Sequence, residues 1–232
     1  MSQLKNIKLN TPTYREVIPS SNKEVIINPF KVGDEKILLM ASESQDTTQM
    51  IDALKKVINN CVQGATVDDM ASFDVEYLFI KIRSVSVGEI AKISLTCPEC
   101  ETANPVDVDL SKTSVKGVKE FKTNVKLTEE LIFTMKLPHV DSMAVADSNP
   151  DSIVKFIASN VEKVFYGEET IEITPADIED VVNIINQLTS AQFKELQDYI
   201  INIPKMSLDI EYDCTHCNKN NKQTLEGLSD FF

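Results

Sequence analysis

The chain has no tryptophan, two histidines and six glycines, and each shortage removes a class of function. Six scattered glycines (Gly33, Gly64, Gly88, Gly117, Gly167, Gly227) cannot build a glycine-rich phosphate loop, so neither common nucleotide fingerprint is present. Two histidines leave most His-based catalysis with almost nothing to work with. Cations are also scarce: 23 Lys and Arg stand against 36 Asp and Glu, a formal net charge of −13. That balance argues against a nucleic-acid clamp or an anionic-membrane binder, because both need phosphate-neutralising cations. No stretch approaches the roughly 18 uninterrupted apolar residues that a membrane helix needs. Residues 1–10 lack the apolar run of a secretory signal. The thiols are therefore expected to stay reduced, and reduced cysteine pairs more often bind metal than form disulfides.

What is present suffices for a packed protein. The 232 residues are 42% hydrophobic and 25% charged, within the ordinary globular range. Residues 1–32 read as an extended arm, with a strand over residues 24–30. From Asp46 the apolar period becomes helical. Ile51, Leu54, Ile58 and Cys61 form one stripe, and Val75, Leu78, Phe79 and Ile82 form a second, with Ser72 as a plausible N-cap. Residues 33–89 are thus a helical segment. Residues 90–96 and 106–110 alternate as strands, Ser111 to Lys119 reads as a polar loop, and residues 121–135 offer one or two strands. A helical region with interruptions then runs to about Ile203. Thr174-Pro175 starts one helix there and Ser190 another. After Pro204 the chain returns to alternation, with Leu208, Ile210 and Tyr212 on one face.

Two Cys-x-x-Cys motifs carry the chemistry. A shift of 117 positions places Ile93 on Ile210, Leu95 on Tyr212, Cys97 on Cys214 and Cys100 on Cys217. Each motif is a strand running into a knuckle, and two knuckles together can hold one tetrahedral ion. Cys97, Cys100, Cys214 and Cys217 are therefore the predicted ligands of a structural Zn2+. The fold class that follows is α+β: a discontinuous zinc-ribbon-like module (residues 90–110 plus 205–227) and a mixed, mainly helical insertion (residues 111–204). The 113 residues between Cys100 and Cys214 raise the entropy of closure, but only logarithmically. Disulfides and a redox pair are the alternatives. A redox Cys-x-x-Cys needs a helix N-terminus to lower its thiol pKa, whereas both motifs here follow strands. A catalytic zinc fits poorly, because four Cys ligands leave no position for water. Cys61, on its helical stripe, reads as a core residue.

The remaining candidates are weaker. His139 has no second His nearby, and His216 sits inside a knuckle. Glu168, Glu169, Glu172, Asp177, Glu179 and Asp180 flank a turn and a helix start, where carboxylates suit the helix dipole. No nucleophile elbow, His-Glu-x-x-His or calcium loop is present, so the chain is read as a non-enzyme.

Residues 73–89 (Phe-Asp-Val-Glu-Tyr-Leu-Phe-Ile-Lys-Ile-Arg-Ser-Val-Ser-Val-Gly-Glu) resemble the signature segment of the baseplate hub and hub-assembly proteins of T4-like, T-even-type myoviruses. The Cys-Pro-x-Cys motif, the second Cys pair and the terminal Asp-Phe-Phe fit the same family. The resemblance spans residue 25 onward. It implies a phage tail morphogenesis protein, a hub component or hub-assembly chaperone, acting in the host cytoplasm during assembly or retained in the virion tail baseplate. Its implied partners are other tail and hub proteins, including the tape-measure protein, with no nucleic acid and no membrane. Tyr77, Ile80 and Arg83 lie off the second helical stripe and are the candidate partner-binding face, against the plainer reading that they pack inside the domain. The competing function is a zinc-ribbon nucleic-acid-binding or transcription-related factor. Asp107, Asp109, Asp209, Glu211 and Asp213 on the ribbon strands oppose it, while Lys219 and Lys222 favour it.

Overall fold

A computed structural model of the chain describes residues 9–44, 46–145 and 149–231. Residues 1–8 of the expected N-terminal arm, and Phe232 of the terminal Asp-Phe-Phe, lie outside the described residues. The architecture is mixed α and β, with three apolar cores strung along one chain.

The first core is built by a hairpin and three helices. Strands β1 (Tyr14–Val17) and β2 (Glu24–Ile27) pair antiparallel, and β3 (Val62–Gln63) adds to β2. Ile18, Val25 and Ile27 are buried, so the stretch expected as an arm is extended but anchored in the core. Helices α1 (Val32–Ser44), α2 (Thr47–Cys61) and α3 (Ser72–Val87) follow. Asp46 caps α2 by accepting the N–H groups of Thr48 and Gln49 at 2.8 and 3.3 Å. The predicted stripe Ile51, Leu54, Ile58 and Cys61 is buried. At α3 the cap differs from expectation. Ser72 is the first helical residue, and Asp74 holds the turn by accepting Ala71 N–H and both Ser20 donors.

The second core belongs to the insertion. Strands β7 (Asn124–Lys126), β8 (Leu131–Met135), β9 (Val161–Tyr166) and β10 (Glu169–Glu172) form an antiparallel sheet in the order β10-β9-β8-β7. Helices α4 (Pro150–Ser159), α5 (Ile178–Ile185) and α6 (Ser190–Ile201) supply Ile157, Val181, Ile185, Leu196 and Tyr199 to its core. The hairpin β9–β10 interrupts the stretch whose sequence reads as helical. Its two-residue loop uses Gly167 at a φ of 59°, a left-handed conformation that glycine adopts without penalty.

The third core lies under the cysteines. Strands β4 (Ile90–Thr96) and β5 (Ala103–Asp109) form one hairpin, and β11 (Lys205–Asp213) and β12 (Asn220–Glu226) form another. A short strand β6 (Ser114–Lys116) pairs with β11 inside the segment expected to be a loop. Ala91, Leu95, Val108, Leu208, Tyr212 and Leu225 fill the space between them.

Candidate metal centre

Each knuckle is shaped by its own backbone before any ligand is considered. In the first, Cys97 N–H donates to Thr102 O and Glu101 N–H to Cys97 O, both at 2.9 Å. In the second, Cys214 N–H donates to Lys219 O at 2.9 Å and Asn218 N–H to Cys214 O at 3.0 Å. Glu101 and Asn218 take the left-handed φ of 57° and 56°. These are the same turn, 117 residues apart, and it aims two sulfurs from each hairpin at one point.

The four Sγ atoms of Cys97, Cys100, Cys214 and Cys217 all lie within 4.8 Å of one another. Cys97 Sγ is 3.8 Å from Cys217 Sγ, and Cys100 Sγ is 3.6 Å from Cys214 Sγ. A tetrahedron with metal–sulfur bonds of ~2.3 Å has edges of ~3.8 Å, so this donor set fits such an ion. The separations are far beyond a disulfide bond of ~2.0 Å, and all five cysteines are free thiols. Among the described residues these four form the one group of three or more His, Cys, Asp or Glu close enough to share an ion. The geometry is that of a module compatible with metal binding.

Local hydrogen bonds favour the thiolate form at Cys97 and Cys214, whereas at Cys217 the Lys219 N–H is outweighed by burial and the neighbouring sulfurs, which push the thiol up to about 12. The backbone N–H groups of Cys217 and His216 hold the Cys214 thiol down to about 6. At Cys97 burial opposes ionisation, but the N–H groups of Glu99 and Cys100 outweigh it and lower the pKa. Two buried asparagines brace the knuckles. Asn104 accepts Thr215 N–H at 2.8 Å, tying the first hairpin to the second knuckle. Asn221 donates to Cys97 Sγ at 3.6 Å, tying the second hairpin to the first. Each also donates to a carbonyl two residues back, Asn104 to Thr102 O and Asn221 to Lys219 O. The same 117-position shift relates them, so the internal repeat marks these two asparagines as well as the four cysteines. Tyr212 hydroxyl and Gln223 Nε2 both donate to Thr96 O, adding a third bridge between the hairpins.

A model of the T4 bacteriophage base plate protein family matches residues 11–232. The chain belongs to that family. It is accordingly a phage baseplate component, with other baseplate or tail proteins as partners and the virion tail as its location. No curated protein and no solved structure matches it. Among the described residues of this baseplate protein, no helix is long and apolar enough to cross a membrane.

The other predicted residues fall in different places. Ile80 is fully buried in the third core, on a helix that lies between two cores, which accords with the plainer reading that it packs inside the domain. Tyr77 is half-buried and donates to Glu16 at 3.2 Å. Arg83 is half-buried, and burial pushes its guanidinium below its ordinary value. The three do not form one surface. Cys61 is buried in the first core, where burial and then the Asp34 charge raise its thiol to about 11. His139 and His216 are exposed. Of the acidic residues, Asp177 caps its helix turn through Thr174, and Glu172 pairs with Lys163.

Proposed function

We propose that this protein is a hub component or hub-assembly factor of the baseplate, whose cysteine module is a zinc ribbon holding one structural Zn2+. The observation that carries the metal reading is the convergence of four sulfurs from two matching knuckles. Zinc bound by Cys97, Cys100, Cys214 and Cys217 would cross-link the two hairpins, and coordination worth on the order of 10 kcal/mol exceeds the ~4 kcal/mol of closing the intervening loop. Four sulfur ligands leave no open coordination position, so the proposed role is structural and not catalytic.

The assembly reading rests on family membership and on the resemblance of residues 73–89 to hub proteins. On this reading the protein acts in the host cytoplasm while the hub forms, and its clients are other hub proteins or the tape-measure protein. The nucleic-acid alternative loses its support at the two lysines that favoured it. Lys219 is paired with Glu99 across the knuckles, and Lys222 with Glu211 at 3.4 Å.

Elemental analysis of purified protein, with mass spectrometry of tail proteins co-purified from infected cells, tests both parts. One zinc per chain and specific recovery of hub proteins are expected. A metal-free protein that remains folded would remove the zinc, and salt-sensitive DNA retention without hub proteins would replace the assembly role.

A further inference from the structure

The helical end of the first core leaves an apolar groove of about 720 Å³ between α1, α2 and the end of α3. Leu38 and Leu39 from α1, Met50 from α2, Val87 from α3 and Leu228 line it. Leu39 and Val87 are 59% and 68% exposed, a heavy concentration of apolar side chains facing solvent. Arg83 also lines this groove, and its Nη1 is buried with no hydrogen-bond partner. Glu35, at the same groove, does not satisfy it. A buried guanidinium nitrogen without an acceptor is costly, and turning the flexible Arg83 side chain into the groove to meet an occupant's carboxylate would remove that cost.

We infer that this groove docks an apolar peptide segment of another protein that carries one acidic side chain, the carboxylate pairing with Arg83. Apolar anchors in a groove between helices are a standard mode of peptide recognition, and Arg is a frequent hot spot in it. The inference rests on the assembly reading only for the source of the peptide; the groove and its charge stand without it.

Selection of random 12-residue peptides on the immobilised full chain, followed by anisotropy titration of the winners, tests it without any baseplate protein. The expected winners combine several apolar residues with one Asp or Glu. Replacing that acid by Asn or Gln is expected to weaken binding at least tenfold. Arg83→Met, checked for folding by its thermal transition, is expected to abolish the acid-versus-amide difference while apolar binding persists. Leu39→Asp is expected to abolish binding. Winners with no acidic preference, or a preference that survives in Arg83→Met, would overturn the proposal. So would a concentration-dependent dimer lost in Leu39→Asp, which assigns the groove to a second copy. Binding gained only on removing residues 229–232 would assign it to this chain's own end and equally overturn it. All of these results leave the hub assignment standing or falling on its own test.

Discussion

The cysteine module and the insertion it encloses stabilise themselves by different means. The insertion has a four-stranded sheet covered by helices, with Phe133, Ile157, Val161 and Leu196 at or near zero exposure. The module has two separate hairpins, and much of what joins them lies at the knuckles: four thiols, Asn104, Asn221 and Tyr212. The difference teaches that an apolar core suffices where a sheet is continuous. Where two hairpins come from distant parts of the chain and do not pair with each other, a polar and metal-ready clamp supplements the core.

The largest test removes the clamp. With the proposed zinc as the clamp, the double variant Cys97→Ser, Cys214→Ser is expected to lose it, together with the protection of β4, β5, β11 and β12 amides against hydrogen exchange. The amides of β8 and β9 should keep theirs. Uniform loss of protection across both regions would show that the insertion has no independent stability. The reverse test is Phe133→Ala, which opens a cavity in the insertion and is expected to cost ~3–5 kcal/mol. Metal content measured below the denaturation midpoint should not change.

The pH response should set the insertion apart from the rest of the molecule. Glu76 on α3 is 7% exposed, and burial raises its pKa to about 7, partly offset by the Leu228 N–H it accepts. Its folded-state value lies above the ordinary 4.5, so the folded state binds the proton more tightly. The stabilisation is therefore present at low pH and is lost as pH rises from about 4.5 through about 7. The loss approaches ~3 kcal/mol. Glu76→Gln should flatten this slope, as read from denaturant midpoints between pH 5 and 8. The insertion buries no carboxylate among its described residues, so Phe133→Ala should leave the slope intact.

Much of the module was legible because its information is local and repeated. Cys-x-x-Cys after alternating residues specifies a knuckle, and the 117-position shift exposes the second copy. What escaped was decided by tertiary context. Ile80 falls off the apolar stripe of α3, but a helix between two cores buries more than one stripe. The strand β6 is polar in sequence and owes its existence to the edge of β11 beside it. The hairpin β9–β10 did carry a signal, the β-prone run Val164-Phe165-Tyr166 just before Gly167, which the helical patterns on either side obscured. The groove beside Arg83 was invisible, since it depends on how α1 lies against α2 and α3.

The finest comparison is within the module, between its two asparagines. Asn104 and Asn221 occupy the same place in each hairpin, yet Asn104 holds a backbone N–H and Asn221 holds a sulfur. If the clamp is a metal site, these contacts are not equivalent. A donor to Cys97 Sγ disperses thiolate charge and fixes that ligand, so Asn221→Ala is expected to weaken metal affinity ~10-fold or more in a chelator competition. Losing the Asn104 contact leaves Thr215 N–H unpaired and is expected to cost ~1–2 kcal/mol of stability. The smaller effect of Asn104→Ala on affinity should come through looser positioning of Cys214 and Cys217. Equal effects of both variants on affinity would mean that knuckle shape, and not the hydrogen bond to sulfur, governs the site.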